Sequence, residues 1–335
     1  MNTSTPAATP SSATPAPWVL PYVDQPIEFW EAIANDYPGL IREVYFPMPG
    51  GSIGSGEPPQ PDAHLRDLLR KAPLPCSVLL NALTLPRPVE QIEPAVVEAL
   101  KRLIGDYGLA GATVTNLNLA RRVRAAFPNL PLTASCLMQI SLPSQVAMLV
   151  GVIDAIVPDI RIVRDLSALQ TLKQAFPGRI RLMVNEACLP GCPFRVQHFH
   201  EMGSGFAYPL SLCEELLAEQ PWLRLTTGWI LPQHLHLYAG TYDEVKLAGR
   251  VTLRDPDHYR LVLDSYVHGR PLAPGDIGGG PASVLDDIEI SEEFFAQTLV
   301  CGHRCHACSL CRDYYAAAMD KRRRPNQNAA AAPAP

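Results

Sequence analysis

The chain has 335 residues, 47% of them hydrophobic, and a net charge of −5. That length can bury a full core, and the acidic balance excludes a general nucleic-acid footprint. The first residues have neither a basic start nor an apolar centre, and the longest apolar runs, such as Val146 to Val157, are interrupted and too short to span a bilayer. The expected location is therefore the cytoplasm, where nine cysteines remain thiols available for metal binding or redox chemistry.

In chain order, residues 1–20 read as an Ala/Pro/Ser-rich tail that cannot bury enough surface to order itself. Short apolar runs then predict strands at Glu43–Pro47, Cys76–Leu80, Ala112–Thr115, Leu132–Ser135, Ala155–Val157, Ile180–Asn185, Leu223–Trp229 and Glu244–Leu247. Segments of helical periodicity separate them, at Ala63–Lys71, Val96–Gly105, Leu119–Phe127, Ser144–Val150, Leu166–Phe176 and Leu210–Glu219. Three of these helices end at Phe127-Pro128-Asn129, Phe176-Pro177-Gly178 and Gln220-Pro221, where proline cannot continue the hydrogen-bond ladder. Strands alternating with helices predict parallel βα units, and eight of them fit a (β/α)8 TIM-like barrel over residues 21–300. The competing open, doubly wound sheet needs a glycine-rich phosphate turn. The glycine run from Gly50 to Gly56 lacks that spacing and leads into Pro58-Pro59, so it reads as a barrel-top loop. A cysteine-rich helical segment follows at residues 301–320. Residues 321–335 read as a second disordered tail, whose basic start Lys321-Arg322-Arg323-Arg324 is a solvated helix end.

In a barrel, catalytic groups sit at the C-terminal ends of the strands and on the loops that follow. Asn81, Asn116, Asn118, Ser135, Cys136, Arg164, Asp165, Asn185, Glu186, Cys188, Cys192, Trp229, Lys246 and Arg250 are expected there, with Cys188 and Cys192 on the loop after about the sixth strand. Cys76, at the start of its strand, and Cys213, on a helix, are expected to be inert. Cys301-x3-Cys305-x2-Cys308-x2-Cys311 is the strongest signal in the chain. Zinc favours Cys-x2-Cys knuckles with a long insert between them, whereas this run resembles spacings that wrap an iron–sulfur cube. Its Cys-x3-Cys-x2-Cys phrase matches radical SAM spacing, but lies after the last strand instead of the first. One cluster could draw on both cysteine groups, or the quartet could hold its own, with Cys136, His198, His200, His303 and His306 as further donors.

Four phrases resemble the collagenase-like peptidase family. They are Val184-Asn185-Glu186-Ala187-Cys188-x3-Cys192-Pro193-Phe194-Arg195 after Arg164-Asp165; Thr115-Asn116-Leu117-Asn118-Leu119-Ala120; Trp229-Ile230-Leu231-Pro232 with Tyr238; and Val245-Lys246-Leu247-Ala248-Gly249-Arg250 before Tyr266-Val267-His268-Gly269. Together they span roughly residues 40–320. The resemblance implies a barrel and, in several branches, a 4Fe-4S cluster held by four cysteines. It also implies functions ranging from peptidase to oxygen-independent hydroxylase, often with a partner protein of the same family. The quartet does not map residue by residue onto the hydroxylase ligands. The chain also ends soon after the barrel, without the accessory domain of the RNA-modifying and peptidase branches, so RNA is not the expected substrate.

The resulting expectation is a 4Fe-4S enzyme for redox chemistry or hydroxylation of a small molecule or peptide, with one cluster or two on Cys188, Cys192, Cys301, Cys305, Cys308 and Cys311. Glu186 would be the acid/base, and Lys246 and Arg250 would hold an anionic group. A hydrolase using Cys188 with His198 or His200 is the second expectation. An iron–sulfur subunit that binds a related barrel, without catalysis of its own, is the third.

Overall fold

A computed structural model describes residues 16–49, 62–203, 212–249, 252–277, 285 and 288–323. Among the described residues, eight parallel strands close into a barrel in chain order: β1 (Trp18–Pro21), β2 (Ile41–Pro47), β3 (Cys76–Leu80), β4 (Gly111–Val114), β5 (Leu132–Ala134), β6 (Ala155–Ile156), β7 (Arg179–Met183) and β8 (Glu244–Lys246). The expected (β/α)8 barrel is thus the observed fold. Pairing of Trp18 with Val245 and of Val19 with Lys246 closes the ring.

The expected strand at Leu223–Trp229 does not form. Pro221–Thr226 is a short 3-10 helix instead. The run is buried at Leu225, Trp229 and Ile230, and a short buried apolar run carries no periodicity to separate strand from helix. The missing strand is β1, which the sequence reading placed inside the N-terminal tail. Its four residues, Trp18 to Pro21, follow directly on Pro17 and look like a continuation of the Ala/Pro run, yet every one of them is buried. Trp18 packs on Tyr266 with ring centroids 5.5 Å apart. Val19 faces the opposite way, into a cluster with Tyr45 and Leu79. The loop carrying Cys188 and Cys192 therefore follows the seventh strand, not the sixth.

The barrel interior is polar at one level. Arg181 of β7 donates from Nη1 to Glu43 Oε1 on β2 at 2.8 Å and from Nε to Glu244 Oε2 on β8 at 2.8 Å. Ser77 of β3 donates to Glu43 at 2.8 Å, and Arg179 donates to Glu244 at 2.7 Å. β2 and β7 are not neighbours in the ring, so the Arg181–Glu43 pair crosses the interior. Two residues further along each strand, Tyr45, Leu79, Met183 and Lys246 line the cavity at the mouth, as the period-2 alternation of strands requires.

Between β7 and β8 the chain makes a long excursion. It carries helices Arg195–Gly203 and Leu212–Glu219 and the 3-10 segments Pro221–Thr226 and Pro232–Tyr238. After β8 come the helices Pro256–His268, Glu292–Thr298 and Leu310–Arg323, the last including Cys311. No described helix is long and apolar enough to cross a membrane.

Arg181→Leu should be severely destabilising, because it leaves Glu43 and Glu244 as buried charges without their shared partner. The expected loss is about 3–5 kcal/mol, measured by urea unfolding at neutral pH. The same experiment has a pH signature. Burial alone pushes the Glu43 carboxyl up, but Arg181, Ser77 and Lys246 together hold it below the ordinary value. Its contribution is therefore present above the unfolded value of about 4.3 and lost as pH falls through the lower folded one. Arg181→Leu should flatten that acid limb of the stability curve, and an unchanged limb would contradict the assignment.

Candidate functional site

The mouth cavity lies where the barrel strands end, lined among others by Tyr45, Asn81, Ser135, Cys136, Met183, Glu186, Phe199 and Lys246. Lys246 is buried and its ammonium sits 3.4 Å from the centroid of the Tyr45 ring. The Tyr45 hydroxyl in turn donates to the Leu247 carbonyl at 2.9 Å. Glu186, on the loop after β7, accepts from the Cys188 backbone N–H at 3.0 Å and from Arg195 Nη2 at 3.3 Å. Arg195 also reaches Cys136 Sγ at 3.8 Å and lies over Phe199. Gly191, at φ +68°, allows the turn that folds Cys192 back beneath Arg195, whose N–H donates to the Cys192 carbonyl at 3.2 Å.

Burial pushes both mouth thiols up. At Cys136 the Arg195 charge works against that rise, and at Cys188 the neighbouring Glu186 adds to it. Cys188 is therefore a neutral thiol near neutral pH. Asn81 Oδ1 and Arg195 Nε are buried with no hydrogen-bond partner. Such orphans cost about 1–3 kcal/mol each when left unpaired, so the Asn81 carbonyl on the cavity wall suits a bound donor.

The C-terminal quartet lines a second cavity, with Arg164, Trp222, Leu225, Thr298 and His303. Cys301 follows the helix Glu292–Thr298, and Gly302 and His303 then turn the chain with φ of +61° and +52°. Cys305 sits in a 3-10 turn and Cys311 in the first turn of the helix Leu310–Arg323, which packs on Pro221–Thr226. Burial first, then the charges of Cys301, Cys305 and Cys308, pushes the Cys311 thiol up to about 12. The four thiols are thus within electrostatic reach of one another. His303 Nε2 is buried and unpartnered, and burial followed by the Arg164 charge holds its ring neutral.

Among the described residues, no three His, Cys, Asp or Glu side chains converge on a single metal ion. A cube differs from a single ion here: each thiolate binds a different iron, so the sulfurs surround the group without meeting at a point. Four thiols around one cavity are the donor set such a cluster takes. The two cavities share no lining residue. The segment Gly228–Ile230 runs between them. Gly228 packs near Glu186, the Trp229 carbonyl accepts from Arg164, and the Ile230 N–H donates to the Val184 carbonyl.

Other expected mouth residues hold the backbone. Asn116 and Asp165 cap helices through the N–H groups of Leu119 and Ala168. Ser135 accepts from the Leu137 N–H. Asn185 ties the β7 loop to the chain beyond β8 by exchanging hydrogen bonds with Ala248. Asn118 and His306 are exposed. Cys76 is buried with its thiol pushed up to about 12 by burial, while Cys213 is half-buried. Arg250 and the Gly50–Gly56 run lie outside the described residues. Tyr45 was not expected in the mouth, nor was the pairing of Arg195 with Glu186. The signal for Tyr45 was present in the strand alternation, two residues after the charged Glu43.

No protein-family model matches the sequence. The uncharacterized protease MJ1657 of Methanocaldococcus jannaschii is 31% identical over 104 residues, which is 29% of this chain and 31% of that protein. The match thus spans under a third of the relative's length. The structure of the U32 peptidase Mk0906 superposes with a TM-score of 0.52 at 14% identity, covering 72% of this chain and 95% of that one. Together they bear out the resemblance to the collagenase-like, U32 peptidase family. The structural likeness carries the fold.

The burial of the thiols orders their reactivity. In metal-free, reduced protein alkylated at pH 8 and followed by mass spectrometry, the exposed Cys308 should be modified at least about ten times faster than Cys76 and Cys188. Early modification of Cys188 would contradict its neutral, packed state.

Proposed function

We propose that this chain is an iron–sulfur barrel enzyme that carries out redox chemistry, of the oxygen-independent hydroxylation type, on a small molecule or peptide bound at the barrel mouth. The observation that carries this reading is the grouping of Cys301, Cys305, Cys308 and Cys311 around one cavity beside the mouth. Those four residues would hold a 4Fe-4S cluster, which supplies one-electron transfer when bound. The mouth supplies the rest. Lys246, over the Tyr45 ring, offers a positive charge to an anionic group of the substrate, with Arg250 four residues later in the sequence as a second candidate. Glu186, oriented by Arg195 and the Cys188 N–H, is placed to hold or move a proton at its carboxylate. Leu79, Val157, Met183 and Phe199 give the cavity apolar walls that exclude water.

Hydrolysis is the competing reading, favoured by the words protease and peptidase in the names of the two similar proteins. A thiol mechanism at Cys188 is disfavoured by the burial and the Glu186 charge that keep it protonated.

Anaerobic purification followed by iron and acid-labile sulfide analysis decides the matter. The full chain should carry both, Cys301→Ala and Cys308→Ala should lose nearly all of each, and Cys188→Ala and Glu186→Gln should retain them. Colourless, iron-free wild-type protein sinks the iron–sulfur reading. Equal loss in Cys188→Ala and Cys308→Ala would mean one cluster shared by both cysteine groups.

A further inference from the structure

Among the described residues three arginines are buried, and they do not have the same kind of partner. Arg181 sits between Glu43 and Glu244, and Arg195 pairs with Glu186. Arg164, only 1% exposed, forms no ion pair with a carboxylate among the described residues. Its Nε and Nη2 donate to the Trp229 carbonyl at 3.2 and 2.8 Å, and its Nη1 donates to Thr298 Oγ1 at 2.8 Å. The guanidinium lies 4.4 Å from the ring centroids of both Trp229 and Phe295. These contacts engage all three guanidinium nitrogens but supply no compensating charge. Guanidinium stays protonated under any physiological condition, and a buried charge without a counter-ion is strongly unfavourable.

Arg164 lines the cavity of the cysteine quartet, so thiolates there are placed to offset its charge, while burial keeps the neighbouring Tyr238 phenol neutral. We propose that Arg164 is the built-in counter-charge of the metal–thiolate group held by Cys301, Cys305, Cys308 and Cys311, and that it sets the reduction potential of that group. The proposal rests on the reading of the quartet as a cluster site. Four thiolates outweigh the positive charge of a cubane core, so the group is net negative and becomes more so on reduction. A fixed positive charge in a dry, aromatic-walled pocket favours the more negative state and raises the potential. Arg164 is a positioning residue: it acts through the cluster, without touching substrate.

The test is a reductive titration of the anaerobically reconstituted full chain, with the midpoint potential followed by visible absorption and electron paramagnetic resonance. Wild type is compared with Arg164→Lys, Arg164→Gln and Thr298→Asp. Arg164→Lys keeps the charge and should titrate close to wild type, whereas Arg164→Gln should shift to a distinctly more negative potential. Thr298→Asp leaves the guanidinium in place but gives it a carboxylate, and should shift in the same direction; it decides the question if Arg164→Gln does not fold. Loss of iron from a folded Arg164→Gln protein, with iron kept in Arg164→Lys, also supports the counter-charge. Wild-type iron content and wild-type potential in both Arg164→Gln and Thr298→Asp overturn it. Failure of the cluster reading looks different: the wild type then carries no iron, or the quartet variants carry as much as it does.

Discussion

Arg181 is the interaction on which the rest of the barrel is organised. It sits on β7 and reaches Glu244 on the neighbouring strand and Glu43 across the interior, so one guanidinium ties together strands that do not pair with each other. Breaking such a group leaves carboxylates stranded away from water, which is why it constrains the structure more than its net contribution to stability suggests. It also fixes what lies above it. The same strand alternation that turns Glu43, Arg181 and Glu244 inward turns Tyr45, Met183 and Lys246 into the mouth. The Lys246 charge helps hold Glu43 ionised, so the floor of the mouth and the interior network form one electrostatic unit.

Outside the barrel wall a second organisation takes over. The excursion between β7 and β8 carries the Glu186 loop towards the mouth and returns along Gly228–Ile230, whose backbone both backs that loop and anchors Arg164. The helices after β8 then bring the cysteine quartet against the other side of Arg164 and Trp222. The barrel mouth and a thiol-lined cavity therefore share a thin partition while keeping separate linings.

The barrel was legible because its strands are short, buried and punctuated by proline, and because parallel βα units leave few alternatives. Residues such as Glu186, Cys136 and Lys246 were placed at the mouth by strand ends alone. Asn116 and Asp165 were placed there on the same logic, but their side chains serve as helix caps, a role that depends on the backbone of the following turn. β1 is hidden in the sequence because its four residues adjoin an Ala/Pro-rich stretch that dominates the composition of any longer window. Leu223–Trp229 resembles a strand in sequence because burial, not backbone pairing, makes it apolar.

The sequence by itself determined the alternation of strand and helix, the density of thiols in the last segment, and which charged residues fall inside strands. Those properties depend on local spacing, which the chain carries along its length. Only the tertiary structure decided that Cys188 belongs with Cys136, Glu186 and Arg195, while the quartet belongs with Arg164. These partners are separated by long stretches of chain and meet because barrel closure brings them to one end. Whether a buried arginine finds a carboxylate or a nest of thiols depends on that closure, and spacing along the sequence carries no record of it.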